Sequence, residues 1–414
     1  MSAPSPAVSA AAVAVPDPDP PPRLSPNVTA LGFVSMLTAM SSAMIYGLLP
    51  VFLVRVLGTG MASVGLIEGL AEASTSLVKI LSGAASDRLG RRKPLVVFGY
   101  ALSAAVKSLF PLAGAASTVL LARVVDRLGK GIRDAPRDAF LADLTLPGIR
   151  GTGFGLRLAL AIFGFVVGPL LAVALMRVSG NDFRLVFWIA LIPAGLSVLL
   201  LLVAVKELPV NHAPPERRLP LRRRDLAALP ALFWWLIVLA TLLAMARFSP
   251  AFLVLKAHAT GVDAAFVPMM LALTYLVYSL TAYPFGMLAD RCDRRLQLGF
   301  GALVLVAADI VLATADTVWM TAVGAALWGL QSGATQGVLS ATVADAAPEH
   351  LRGTAFGVYD LAVGIATFVA SAAAGSLWAM GGPATAFAVS ACIGAAAAVM
   401  LLFRPIPRVV PAAR

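Results

Sequence analysis

Stretches of about twenty apolar residues recur along the whole chain, and no other feature constrains its fold as much. A helix rising about 1.5 Å per residue needs about 20 such residues to cross the hydrocarbon layer of a bilayer. Runs of that kind fall near residues 29–54, 61–82, 95–114, 117–140, 152–176 and 184–205. A second set falls near 228–255, 264–287, 296–315, 317–342, 354–379 and 384–403. The runs are continuous and do not alternate with polar residues, which excludes a transmembrane β-barrel. Composition agrees, with 59% hydrophobic and only 13% charged residues, against about a quarter charged in soluble domains. The expectation is an all-α membrane protein with twelve transmembrane helices, its main partner the lipid bilayer.

The charge that remains is asymmetric. Lys and Arg number 32 against 21 acids, a formal net charge of +11. No segment combines basic and aromatic residues on one face, so the excess does not point to nucleic acid. It gathers in alternate loops. Arg88, Arg91, Arg92 and Lys93 lie between spans two and three, Arg217 to Arg224 between six and seven, and Arg291, Arg294 and Arg295 between eight and nine. The intervening loops hold little positive charge, so the positive-inside rule puts both termini in the cytoplasm of a cell-membrane protein. The proline- and alanine-rich residues 1–27 lack the basic start of a signal peptide and read as a disordered cytoplasmic tail. Residues 206–227 form a polar linker between a bundle over 28–205 and a bundle over 228–404, and 405–414 form a second tail. Two cysteines and three histidines offer no ligand cluster, so neither a metal nor another cofactor is expected.

The two bundles repeat one another. "GAASDRLGRR" begins at Gly83 and "GMLADRCDRR" at Gly286, 203 positions apart, while "RGTGFG" at Arg150 and "RGTAFG" at Arg352 are 202 apart. Asp143 and Asp345 share the second offset. Duplicated six-helix halves commonly enclose a transport site near the bilayer midplane.

These motifs resemble those of the major facilitator superfamily. "GAASDRLGRRK" matches the family's loop between spans two and three, "LLARVVDRLGKG" its span-four motif with Arg123 on the intramembrane arginine, and "GFVVGPLLAV" from Gly164 its span-five antiporter motif. The last departs from the family pattern where Ala172 and Val173 stand for a glycine pair. The resemblance covers about residues 28–404 and implies two pseudo-symmetric bundles, alternating access and secondary active transport driven by protons. It also implies that loop contacts gate one side of the pathway, through Gly83, Asp87, Arg88, Gly90 and Arg91 in the first copy and Gly286, Asp290, Arg291 and Arg294 in the second. Arg91 can pair with Asp143 or Asp138 at the end of span four, and Arg294 with Asp345. Gly164, Gly168 and Pro169 read either as a close-packed helix contact or as a bend that seals the pathway in exporters.

One span carries an unusual load of charge. In "RVVDRLGKGIRDAPRD", from Arg123, residues rotate by about 100° each, which brings Arg123, Asp126, Arg127, Lys130, Arg133, Asp134, Arg137 and Asp138 into an arc of about 140°. Charge at bilayer depth should face a protein interior or a water-filled cavity. Pro136 can kink this helix or mark its end. Glu68, Glu72 and Lys79 share one face of span two, and counting along the helices puts Glu68 level with Arg123 and Glu72 level with Arg127. An ionic ladder between spans two and four is expected. The equivalents of Arg123, Asp126 and Arg127 in the second half are Ala325, Trp328 and Gly329, so the repeat keeps the gates and loses this face. Span ten instead brings Gln331, Ser332, Gln336 and Trp328. Arg157, Arg247, Asp309 and Asp360 are further charges within spans, and Tyr46, Trp234 and Trp235 offer aromatic surface.

Glu68, Glu72, Asp126 and Asp360 are thus candidates to bind a coupling proton, and Arg123, Arg127, Arg157, Arg247 and Gln331 to bind solute or hold those acids. The solute expected is small, organic and polar or anionic, and the working unit a monomer. Export follows from the span-five motif, with organic-anion uptake or exchange as the alternative. A membrane enzyme finds no nucleophile–base pair or phosphate loop to support it, and a non-transporting sensor of the same fold would share the cavity without flux.

Overall fold

A computed structural model describes residues 25–89, 92–145, 150–206, 226–291, 293–348 and 351–403. The tails and most of the linker, at 1–24, 207–225 and 404–414, lie outside the described residues. Every regular element among them is helical.

Seven helical stretches are long and apolar enough to cross a bilayer by length and composition, and the last, Thr354–Phe403, holds spans eleven and twelve. Gly382 divides these two with φ 78°, a left-handed conformation that favours glycine, and Pro383 starts the returning helix. The other crossings carry polar residues or breaks. Span two is Met61–Leu89, span four Ala116–Asp143, and span ten Val318–Ala346. Pro136 lies within span four without ending it, so that helix runs on to Asp143. Span three divides into Lys93–Val106 and Leu109–Leu112.

Spans one and seven break in matching places. The first helix ends at Tyr46 and resumes at Leu49, continuing through a π-helical turn at Phe52–Val56. Span seven stops at Met245 and resumes as Ala251–Ala259. Around the breaks, "LLPVFLV" from Leu48 and "FSPAFLV" from Phe248 lie 200 residues apart. In each, a proline removes one backbone donor from the ladder, so a carbonyl four residues earlier has no helical partner.

Within the first half, span one packs on five and six, and span four on two and three; in the second, span ten packs on eight and nine. Small residues permit these approaches, as expected where lipid gives no hydrophobic drive for helices to associate. A Cβ on Gly168 of span five would meet the Cβ of Ala43 in span one at 2.9 Å, and one on Gly164 would strike the Met36 carbonyl. The span-five glycines therefore form a close contact with span one. The repeat recurs here, because Gly131 of span four lies against Thr75 and Val78 of span two, and Gly333, 202 positions on, lies against Thr281 of span eight.

The halves meet through spans two and eleven and through five and eight. A Cβ on Gly65 would come within 3.0 Å of the Gly375 Cα, and Phe165 stacks on Tyr275 with centroids 4.9 Å apart. The cores show how this joining is distributed. One apolar cluster, with Phe52, Phe110 and Phe187 from the first half and Phe252, Trp328 and Phe387 from the second, crosses the boundary at the end remote from Pro26 and Phe403. At the terminal end two separate clusters form, one around Val28, Tyr100 and Phe140 and one around Phe233, Leu298 and Leu401. The halves are fused at the remote end and packed separately at the terminal end.

Candidate functional site

The ladder expected between spans two and four is present. Arg123 pairs with Glu68, both nearly fully buried, and Arg127 reaches Glu72 at 3.4 Å. Two turns of each helix are in register, so pairs four residues apart on span two meet pairs four apart on span four. Tyr46, at the end of the first helix, lies beneath both guanidiniums, 4.0 Å from Arg123 and 5.1 Å from Arg127 to its ring centroid. Stacking of this kind lets a guanidinium shed water over an aromatic face.

The Tyr46 hydroxyl donates to the Asp126 carboxylate, as does Ser103 of span three. Below them Lys107 is fully buried and donates to Ser41 at 2.9 Å and Ser42 at 3.0 Å. Asp126 thus accepts from hydroxyls of spans one and three, on the same charged arc of span four as the ladder, with Tyr46 shared between them. Sequence reasoning passed over Lys107, whose signal was a lone cation within an apolar run.

In the second half the break in span seven turns Arg247 toward span ten. Its guanidinium donates to Ser332 at 2.8 Å. The Gln336 amide lies 3.2 Å from the Tyr278 hydroxyl, and turned so that its oxygen faces Arg247 it accepts from both terminal nitrogens at 2.8 and 3.0 Å and donates to Tyr278. Gln331 lies at 3.5 Å. Among the described residues no carboxylate lies within ion-pair distance of Arg247. Ser249, two residues further, donates to Glu68 of the other half at 3.0 Å, while its amide donates to Ser371 of span eleven at 3.1 Å. Ser249 was not singled out from the sequence, where a serine before a proline gives little signal.

Other charges take different places. Asp360 pairs with Lys79 across the halves at 2.6 Å, apart from the ladder, and Lys79 does not extend the row of Glu68 and Glu72 toward span four. Arg157 faces Asp138 at 3.8 Å near the terminal end. Arg137 is buried and binds Asp134 at 2.8 Å and Asp138 at 2.9 Å, and Arg133 lies 4.4 Å from the Tyr100 ring centroid. Trp328 lies in the closed core, its indole donating to Asp309 at 2.8 Å. Trp234 is surface-exposed and Trp235 packs on the second-half cluster.

At the loops, Arg294 binds Asp345 at 2.6 Å, and Asp143 is bound by Arg92 at 2.9 Å. Gly90 and Arg91 lie outside the described residues, as do the side chains of Asp87, Arg88, Asp290 and Arg291 and the surroundings of Gly83. Gly286 is exposed, with open space where a Cβ would stand.

Comparison with known proteins places this architecture. The chain is 31% identical over 386 residues to an uncharacterized MFS-type transporter of Methanocaldococcus jannaschii, covering 92% of this chain and 95% of that one. It is 30% identical over 183 residues to the multidrug resistance protein MdtH of Proteus mirabilis, a match spanning 44% of each chain. Among solved structures, the nucleoside transporter NupG superposes with TM-score 0.79 at 14% identity, covering 91% of this chain and 100% of that one. A D-xylose-proton symporter superposes with TM-score 0.73, also at 14% identity, covering 92% and 98%. The family model described as Major Facilitator Superfamily matches residues 31–256 and again 235–414. With twelve spans in two pseudo-symmetric bundles, the chain is an integral membrane transporter, not an enzyme, and belongs to the major facilitator superfamily.

Proposed function

We propose that the protein is a proton-coupled exporter of a small organic solute, working by alternating access as a monomer in the cell membrane with both termini in the cytoplasm. The observation that carries this reading is the position of Glu68. Its carboxylate pairs with Arg123 of its own half and accepts from Ser249 of the other. A proton on Glu68 would cancel its attraction for Arg123 and weaken its hold on Ser249, linking protonation to separation of the halves at the remote end. Glu72, Arg127 and Arg247 would then meet solute in the space between the bundles, and Asp126 would hold Tyr46 beneath the arginines. Lys79–Asp360, Arg92–Asp143 and Arg294–Asp345 would work as gate contacts toward the terminal end.

The test is transport in everted membrane vesicles. With a panel of fluorescent organic anions and cations and an inward proton gradient, at least one compound should accumulate, and Glu68→Gln should abolish the dependence on the gradient. Accumulation that ignores the gradient in the parent protein would refute proton coupling. Arg247, with no described carboxylate beside it, favours a second reading as an organic-anion carrier working by uptake or exchange. Anion uptake into right-side-out vesicles, stimulated by anion loaded inside, would favour it.

A further inference from the structure

Asp309 of span nine is fully buried, outside the ladder and the Asp126 network. Its Oδ1 accepts from the Trp328 indole at 2.8 Å, and its Oδ2 lies 2.6 Å from the Ser390 hydroxyl of span twelve. Ser390 also hydrogen-bonds the backbone carbonyl of Ala246 at the break in span seven. The residue four positions on from Ala246 is Pro250, which has no N–H to offer this carbonyl. A hydroxyl has one proton to donate, and a carbonyl can only accept. If Ser390 serves Ala246, the short contact between Ser390 and Asp309 needs a proton from Asp309.

The surroundings agree. Span seven presents Ala246, span ten Trp328 and span twelve Ser390, and Arg247 turns away to Ser332 and Gln336. Among the described residues no cation lies within ion-pair distance of Asp309. An ionised carboxylate stripped of water and left without a cation is expensive. Asp126 is the contrasting case, since two hydroxyls donate to it and Lys107 lies nearby.

We propose that Asp309 is a proton-binding site of the second half. The carboxylic acid donates to Ser390, Ser390 donates to the Ala246 carbonyl, and this chain fixes the broken segment that carries Arg247. When the proton leaves to solvent, the Ser390 hydroxyl turns from Ala246 to the new carboxylate, and the carbonyl loses its donor. The bound proton stands on these hydrogen bonds alone, and only its part in a transport cycle rests on the proton-coupled reading above.

Infrared spectroscopy of the full chain in lipid tests the protonation. At neutral pH the parent should show a carboxylic-acid carbonyl band that Asp309→Asn lacks. The amide of that variant donates to Ser390 and accepts from Trp328 in the same geometry, which preserves the fold. If the variant does not fold, Ser390→Ala serves instead, because removing the acceptor should shift the band. Hydrogen exchange across residues 246–250 tests the link, with Ser390→Ala raising exchange on the order of tenfold and Asp309→Asn leaving it near parental. An identical acid band in parent and both variants, or unchanged exchange in Ser390→Ala, overturns the proposal. Neither readout needs solute or gradient, so a failure of proton-driven transport is a separate result.

Discussion

Ser249 of span seven donates to the Glu68 carboxylate of span two at 3.0 Å, joining the two halves at the point where Arg123 also binds that carboxylate. Ser249→Ala removes one of two donors and leaves the Arg123 pair intact. The expected loss of stability is about 1.5–3 kcal/mol, the range for a hydrogen bond to a charged group. Spin labels on the remote ends of spans one and seven should show a larger share of separated halves. An unchanged distance distribution would mean that this contact does not hold the closed state.

The buried pair itself predicts an asymmetry. Glu68→Gln leaves the Arg123 guanidinium buried without its counter-charge, at a cost of about 3–5 kcal/mol. Glu68→Gln combined with Arg123→Gln removes both charges and should recover much of that loss. Thermal unfolding in detergent across the full cycle reads the coupling, and additive single effects would contradict a direct buried pair.

Lys79 and Asp360 form a partly exposed pair, at 38% and 27% side-chain accessibility. Exposed pairs contribute under about 1 kcal/mol, so Asp360→Asn should hardly alter thermal stability. Its effect should appear in opening at the terminal end, measured as faster labelling of cysteines placed there. Exchanging the two charges, Lys79→Asp with Asp360→Lys, should restore the parental rate; failure of the swap to do so would remove the pair as a gate contact.

The span-five glycines predict a steep size dependence. Gly168 lies against the Met40 carbonyl and the Ala43 side chain of span one. Gly168→Ala should cost about 1–3 kcal/mol as an overpacked contact, and Gly168→Leu should prevent accumulation of folded protein. The exposed Gly195 of span six, with open space around its Cβ position, is the control and should accept leucine. Size-exclusion profiles of the solubilised variants check both.

The spans and the ladder were legible for the same reason. Helical rise and rotation are local, so the spacing of Glu68 to Glu72 and of Arg123 to Arg127 implies matching rungs once two spans run in the same direction. The close contact at Gly164 and Gly168 was one of two readings of a short motif, and seeing it needed the neighbouring span. Asp360 and Arg157 were grouped with the cavity because their depth was roughly readable, while the direction each faces is set by helix rotation within the bundle. Trp328 was grouped with Gln331, Ser332 and Gln336 on span ten because a donor to a buried acid and a lining aromatic look alike in sequence.

The repeat shows the boundary most clearly. Sequence comparison of Asp126 with Trp328 indicated that the second half had lost its charge. In the folded protein Trp328 donates to Asp309, and Asp309 stands 202 positions after Lys107, itself the buried cation beside Asp126. The second half keeps a polar pair at this site, with an indole in place of Asp126 and a carboxyl group on span nine in place of the Lys107 ammonium.

Hydrophobic run length, loop charge and duplicated motifs, all readable along the chain without its fold, determined by themselves the twelve crossings, their division into halves and the family. Only the tertiary structure decided which polar groups meet across the two halves. Ser249 meets Glu68 across 181 residues, and Lys79 meets Asp360 across 281. In a low-dielectric interior such contacts depend on the rotation and depth of separate helices, which no local spacing encodes.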